Sequence, residues 1–531
     1  MAAQPARRQH ARMAPAAGPA APAPPGDPGA AAPRAGTHAW RFVAGLAVAS
    51  ALLFLPGVAA LPWPARATAG VTVLTAWCWL SGALPLPVAS LLPALLLPVT
   101  GAVSAAEVAR GYFHDILMLF LGGFLLALAL ERYLLHERFA LAALRLFGTR
   151  PRRLVLGLML ATGALSLFIN NTSTALLMLP VAQALLSGCP PAASQRLAPP
   201  LLLGLAYACS IGGVGTPIGT APNIIFLGQF RDHYPEAPPI SFGAWVLGVL
   251  PFSLVFLLLT WWVLTRLFGP LPAEPVLPAG ELARRRAGQG ELNPAQKRTL
   301  AVFALVVALW VSRASLDLGA VRVPGWSELL PAGVAASLSD ATVALFGLIL
   351  LYLVPGAPGQ GPLLGLEDLR RAPWDVLLLM GGGFALAAAF ESTGLTTAMG
   401  EALRAALSGL SPLVAVLLTA AVVTVFSEVA SNTAAITLLL PLLFSAAAAA
   451  SLHPLLLALP ATLAVSNAFM LPAGTPPNAI IFATGRVRMG QMARAGIVLD
   501  VLTVLLVTLF TLLWIAPLWG VDLRAVPDWA R

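Results

Sequence analysis

Apolar runs recur from about residue 41 to residue 519, many close to the ~20 residues with which a helix spans a bilayer. Lipid offers backbone N–H and C=O groups no partners, so such runs must become helices that satisfy their own hydrogen bonds. Only 10% of the 531 residues are charged, against about a quarter in a soluble domain. A soluble fold is excluded, and the chain reads as an all-α polytopic membrane protein. The formal net charge of +9 falls mostly in short loops, where it reports topology rather than nucleic-acid binding.

Three residue classes narrow the chemistry. Cys78, Cys189 and Cys209 are scattered, and so are the six histidines. No spacing suits a zinc site, a disulfide framework or a cofactor. No paired carboxylates, His cluster or nucleophile–base set supports an enzyme.

Read in order, the chain divides as follows. Residues 1–38, rich in Ala, Pro and Gly with four arginines, predict a disordered tail, placed in the cytoplasm by its positive charge. A leading transmembrane helix is expected in 39–66. Residues 67–269 and 299–520 form two repeats, joined by a polar cytoplasmic linker at 270–298. Residues 521–531 form an extracytoplasmic tail.

Three matched stretches relate the halves. Asp115 through Gly122-Gly123-Phe124 to Glu131 matches Asp375 through Gly382-Gly383-Phe384 to Glu391. Asn171-Thr172 matches Asn432-Thr433. Gly219-Thr220-Ala221-Pro222-Asn223 matches Gly474-Thr475-Pro476-Pro477-Asn478. The loops beside them exchange their basic residues. Arg150, Arg152 and Arg153 face an uncharged counterpart, whereas Arg370, Arg371, Arg486 and Arg488 sit beside the other ends. The positive-inside rule then makes the repeats inverted, with an odd number of crossings in each. Five crossings per repeat after one leading helix predict about eleven, with the N-terminus inside. Inverted repeats with broken helices are the pattern of secondary transporters.

Two polar tips interrupt the apolar sequence. Asn170-Asn171-Thr172-Ser173-Thr174 lies within 154–187, and Ser427 to Thr433 lies within 411–447. Each flanking arm is too short for a full crossing, which predicts two re-entrant hairpins. At each tip a helix N-terminus points its free N–H groups and positive dipole end into the membrane. Two such ends facing each other can hold an anion without any Lys or Arg. The Gly/Pro breaks near 212–223 and 472–478 free carbonyls which, with amide and hydroxyl oxygens, suit a hard monovalent cation such as sodium.

Other readings of single features are blander. Asn171-Thr172-Ser173 matches a glycosylation acceptor but sits in an apolar hairpin. Glu428, the one carboxylate inside a tip, is either a proton site or a local cap. Asp115, Asp375, Glu131 and Glu391 lie near segment ends and read as interfacial anchors.

At these residues the sequence resembles the divalent anion:sodium symporter family, the dicarboxylate, citrate and sulfate transporters. The hallmark is a Ser-Asn-Thr tip and a Gly-Thr/Ser-Pro-type break in each half. Ser431-Asn432-Thr433 carries the tip as the family has it; Asn170-Asn171-Thr172 has Asn in place of Ser. The resemblance spans about residues 40–520. It implies one sodium site at Ser166, Asn170, Asn171 and Gly219. A second would use Ser427, Ala430, Asn432 and Gly474, with Ala430 and the glycines acting through backbone carbonyls. Substrate carboxylates would meet Asn171, Thr172 and Thr220 from one half and Asn432, Thr433 and Thr475 from the other. Asn at 170 adds bulk and an amide donor beside the first cation site. The family further implies a homodimer in a bacterial-type plasma membrane, sodium as the coupling ion, and an elevator-like shift of a transport domain. A sodium-independent anion exchanger and a proton-coupled permease such as an arsenite permease are the alternatives. An anion channel fits less well, since its pore would show basic rings.

Overall fold

The computed structural model describes residues 35–530 except 272–273, 276–279, 281–283, 285–286, 318–321, 358–360 and 408. Most of the tail expected at 1–38 and part of the linker at 270–298 therefore lie outside the described residues.

Among the described residues nineteen helices carry the architecture. The first three are α1 (Ala35–Leu52), α2 (Trp63–Ser81) and α3 (Leu92–Val99, preceded by the turn Leu86–Ala89). Next come α4 (Asp115–Arg132, preceded by Ala105–Tyr112), α5 (Leu135–Phe147), α6 (Pro151–Ser166) and α7 (Asn171–Ser187). The first half ends with α8 (Pro191–Val214), α9 (Ala221–His233) and α10 (Phe242–Leu267). The second half holds α11 (Pro294–Val311), α12 (Asp340–Leu353), α13 (Trp374–Ser392), α14 (Leu395–Leu407), α15 (Pro412–Ser427) and α16 (Asn432–Ala450). It closes with α17 (Leu455–Val465), α18 (Pro476–Ala483) and α19 (Met489–Phe510). Strand is confined, among the described residues, to the two-residue pair Leu316–Asp317 and Arg322–Val323.

After α1 the order repeats: α2 to α10 and α11 to α19 match helix for helix. With each broken pair α8/α9 and α17/α18 taken as one crossing, and with the tip hairpins α6/α7 and α15/α16 and the amphipathic α5 and α14 left out as non-crossing, the crossings number eleven among the described residues. Among the described residues seven helical segments are long and apolar enough to span a membrane by length and composition, and several shorter apolar helices accompany them.

Local chemistry sets the boundaries. Proline opens α6, α8, α11 and α15, where its missing N–H has no partner to lose. Ser411 and Ser241 cap α15 and α10 through their hydroxyls, and Asn293 with Gln296 forms a capping box at α11.

Two amphipathic helices, α5 and α14, follow α4 and α13 and lead into the hairpins. In α5 the buried residues Leu135, His136, Ala140 and Leu144 line one face, and Arg145 and Leu146 lie on the other. The link into α5 turns at Leu134 and the link into α14 at Gly394, both with positive φ (53° and 75°).

The two repeats run in opposite directions. At one face Arg132, ending α4, pairs with Asp368 before α13, and Arg371 Nη2 lies 2.9 Å from Glu131 Oε1. At the opposite face Arg231 near the end of α9 pairs with Asp115 at the start of α4, and His233 stands 3.8 Å from Glu391 at the end of α13. The start of α4 and the end of α13 thus share a face.

The core sits on α8, buried at every residue from Leu197 to Val214. Its approach to α6 depends on glycine. A Cβ on Gly212 would stand 2.4 Å from the Gly163 carbonyl oxygen, so no side chain fits between the helices.

Candidate functional site

The chain between α6 and α7 turns at Leu167–Asn170, and that between α15 and α16 at Glu428–Ser431. These are the two tips, each at the end of a helical hairpin. Opposite them stand the breaks, Gly215–Thr220 between α8 and α9 and Ser466–Thr475 between α17 and α18. Four helices, α7, α9, α16 and α18, begin here, each with N–H groups that lack intrahelical partners.

Asparagine closes both breaks the same way. Asn223 Nδ2 donates to the carbonyls of Thr216 (2.7 Å) and Val214 (3.1 Å). Asn478 Nδ2 donates to those of Ala468 (3.0 Å) and Leu471 (3.1 Å). Each amide satisfies carbonyls left free by the interrupted helix, and each Oδ1 is buried without a protein partner. Neither asparagine was among the expected site residues. The signal was present in the repeat itself, where both stand at the same place in the two break motifs. Tyr207 on α8 ties the breaks together, its hydroxyl donating to the Phe469 carbonyl at 3.0 Å.

The tips are fastened to the breaks by different chemistry at equivalent positions. In the first half the Thr216 hydroxyl donates to the Leu167 carbonyl. In the second half Glu428 stands where Leu167 does. Its Oε1 accepts from the N–H groups of Phe469 (2.6 Å) and Met470 (2.9 Å), and its Oε2 from that of Leu471 (3.0 Å). Glu428 thus caps three backbone donors, and the Asp500 side chain lies against the same carboxyl.

A cluster of oxygens surrounds the first tip. Ser166 Oγ lies 2.7 Å from the Cys209 carbonyl oxygen, 2.9 Å from Asn171 Oδ1 and 3.5 Å from the Ile169 carbonyl oxygen. One hydroxyl proton serves only one of these acceptors. A Cβ on Gly219 would meet the carbonyl oxygens of Gly213 at 2.4 Å and Ser166 at 2.8 Å, and one on Gly213 would meet Asn171 Oδ1 at 2.5 Å. The glycines leave room into which Ser166, Gly213 and Asn171 direct oxygen, the donor type a hard cation takes. Asn170 contributes as a helix cap: its Oδ1 accepts from Ser173 N–H at 2.9 Å, and its carbonyl from Thr174 N–H at 2.9 Å.

The second tip is arranged differently. Ser427 Oγ donates within its own helix to the Thr424 carbonyl (2.8 Å), and Ser431 makes no capping bond. Asn432 Oδ1 is buried without a partner, and Ala430 is buried. A Cβ on Gly474 would stand 3.2 Å from Glu428 Oε2 and 3.4 Å from the Leu471 carbonyl oxygen. Thr475 caps α18 through Asn478 N–H (3.4 Å).

Between the halves lies a cavity of about 670 Å³. Asn171, Thr172 and Thr220 line it from one side and Asn432, Thr433 and Thr475 from the other, together with Asn170, Gly219, Ala430 and Gly474. Ser166 and Ser427 are fully buried behind it. Phe120 and Phe124 of α4 and Val376 and Leu379 of α13 form the opposite wall. Among the described residues no Lys or Arg lines the cavity, and the one charged lining residue is Asp375, at the face that carries Arg371. Polar donors and four helix N-termini facing an apolar wall can bind an anion, with oxygen-lined space for cations beside it.

Comparisons with known proteins agree with this geometry. The family model for the sodium:sulfate symporter transmembrane region matches residues 36–521. The chain is 36% identical over 464 residues to a sodium-dependent dicarboxylate transporter of Staphylococcus saprophyticus, covering 85% of this chain and 86% of that one. Against the Staphylococcus aureus protein of the same name identity is 35% over 476 residues, covering 87% and 88%. Among solved structures, the Alcanivorax borkumensis YdaH transporter shares the fold with a TM-score of 0.52 at 17% identity, over 87% of this chain and all of that one. MtrF of Neisseria gonorrhoeae does so with a TM-score of 0.54 at 14% identity, over 88% and 97%. This chain is an integral membrane transporter and belongs to the sodium:sulfate symporter family.

Proposed function

We propose that the protein is a sodium-coupled symporter of a small dianion, best suited to a C4-dicarboxylate such as succinate. The observation that carries this reading is the single cavity lined by both tips and both breaks. A dianion with separated carboxylates can meet Asn171, Thr172 and Thr220 at one end and Asn432, Thr433 and Thr475 at the other. With no Lys or Arg on the wall, bound cations must offset much of its charge in this low-dielectric setting. Sodium at the first tip would take oxygens from Ser166, Asn171 and Gly219, beside Asn170. At the second it would take those of Ser427, Ala430, Asn432 and Gly474. Coupling follows, because the anion binds well only with the cations in place. The names of the staphylococcal relatives, sodium-dependent dicarboxylate transporters, support the same substrate and ion.

We further infer a homodimer in the bacterial plasma membrane with the N-terminus inside, since the basic loops share one face. Alternating access is read as an elevator-like shift in which the hairpins and broken helices slide against α4 and α13. The deciding measurement is uptake of labelled succinate, citrate and sulfate into proteoliposomes with and without an inward sodium gradient. Sodium-driven succinate uptake is expected. Uptake that ignores sodium and instead needs internal anion would replace symport by exchange.

A further inference from the structure

The Arg231–Asp115 ion pair and the His233–Glu391 contact at one face of the cavity have unformed counterparts at the other. Arg231 on α9 grips Asp115, the first residue of α4, in a two-pronged contact: Nη1 lies 2.9 Å from Oδ2, and Nη2 bonds Oδ1. Two residues on, His233 faces Glu391 at 3.8 Å. These contacts join a broken helix that lines the cavity to the wall helices α4 and α13.

The inverted repeat maps each of the four residues onto a partner. Arg231 lies eight residues after Asn223, and Arg486 lies eight after Asn478; His233 corresponds in the same way to Arg488. Asp115 corresponds to Asp375 and Glu391 to Glu131, through the Gly-Gly segments. Exchanging the halves turns Arg231–Asp115 into Arg486–Asp375, and His233–Glu391 into Arg488–Glu131. Both mapped pairs again join a basic side chain to a carboxylate, although little else in these loops is shared: Asp232 maps to Val487 and His114 to Trp374.

Neither mapped pair is formed. Among the described residues Arg486 and Arg488 make no ion pair, and the Arg486 guanidinium reaches only Ser194 Oγ, at 3.5 Å. Asp375 is likewise unpaired and lines the cavity mouth, while Glu131 is held by Arg371. The cavity therefore reaches the face whose pairs are apart and is shut off at the face whose pairs are joined.

We propose that these are two reciprocal gate latches, Arg231–Asp115 with His233–Glu391 on the outer face and Arg486–Asp375 with Arg488–Glu131 on the inner face. This rests on the alternating-access reading above. When the hairpins and broken helices slide outward, the outer pairs part and the inner pairs form. Arg486 then neutralises the one carboxylate at the cavity mouth, removing a negative charge from beside the bound dianion as the inner path closes. The outer latch also carries the His114–Asp232 contact (3.0 Å), absent from the inner one, which biases the resting protein toward the inward-open arrangement.

Paired cysteines test this in a background whose three buried native cysteines are replaced by alanine. Asp115→Cys/Arg231→Cys and Asp375→Cys/Arg486→Cys are oxidised in proteoliposomes, and free thiols are then counted by maleimide-polyethylene glycol after denaturation. Both pairs are expected to cross-link, the outer pair faster, and each cross-link should cut succinate uptake at least tenfold until reduced. Cross-linking of the outer pair alone, in a background that still transports, would overturn the inner latch. A background that takes up no dianion speaks against the transport reading instead, while the cross-linking pattern still reports whether the two arrangements exist. As a second readout, uptake by Asp375→Asn, Arg486→Gln and the double variant should be non-additive, the double losing no more than the worse single. Additive losses would sink the pairing.

Discussion

Glu428 and Phe469 meet at 2.6 Å, carboxylate oxygen to backbone N–H, and this contact fastens the second hairpin tip to the second broken helix. The neighbouring N–H groups of Met470 and Leu471 also donate to this carboxylate. At the equivalent place in the first half a threonine hydroxyl and a leucine carbonyl do the same work. Two unlike chemistries hold one geometry, which identifies the geometry as the constrained feature.

Replacing Glu428 by Gln turns an acceptor into an NH₂ group facing a backbone donor. An unsatisfied buried donor costs about 1–3 kcal/mol. The variant is expected to unfold at lower temperature in detergent, and sodium should protect it less than it protects the parent. Equal melting and equal sodium protection would show that the carboxylate is dispensable.

Asn432→Ala removes an amide whose Oδ1 is buried and unpartnered. The orphan oxygen is costly in the protein alone, so its loss should leave folding intact or slightly improved. Uptake of succinate should fall at least a hundredfold in the same protein. Near-normal uptake would mean that the tip is structural.

Asn170→Ser tests the departure at the first tip. Serine caps a helix about as well as asparagine, so the Ser173 contact is retained and the melting temperature should move little. The sodium concentration for half-maximal uptake is expected to shift, since the bulkier amide beside the oxygen cluster is gone. An unchanged sodium dependence would separate residue 170 from the cation site.

Gly212→Ala places a methyl 2.4 Å from the Gly163 carbonyl oxygen on the neighbouring helix. Backbone cannot yield as a flexible side chain does, and overpacking of this kind costs about 1–3 kcal/mol or more. Loss of folded protein, read as the monodisperse fraction in size-exclusion chromatography, is the expected result. Gly57→Ala, with open space around its Cβ position, serves as the tolerant control.

The sequence alone determined the membrane architecture because the bilayer enforces it locally. Apolar runs must be helical, basic loops must stay inside, and polar tips or Gly/Pro breaks in mid-membrane need a reason. That logic reached the crossings, the inverted repeats and the polar tips and breaks; the family resemblance pointed to Asn171, Thr172, Thr220, Asn432, Thr433 and Thr475, all six of which line one cavity. The same logic did not separate α5 and α14 from their neighbours, since their half-polar faces carry too little apolar length to register as spans.

Partner choice was decided only by the tertiary structure. Glu428 is one carboxylate in a polar tip until Phe469, Met470 and Leu471, some forty residues away, come to its oxygens. Asp115 reads as an interfacial anchor until Arg231 closes on it. Asn223 and Asn478 are two motif letters until their amides are seen binding the carbonyls of broken helices. A polar group in lipid must find a partner, a requirement visible in the sequence, whereas which partner it finds depends on packing between segments far apart in the chain.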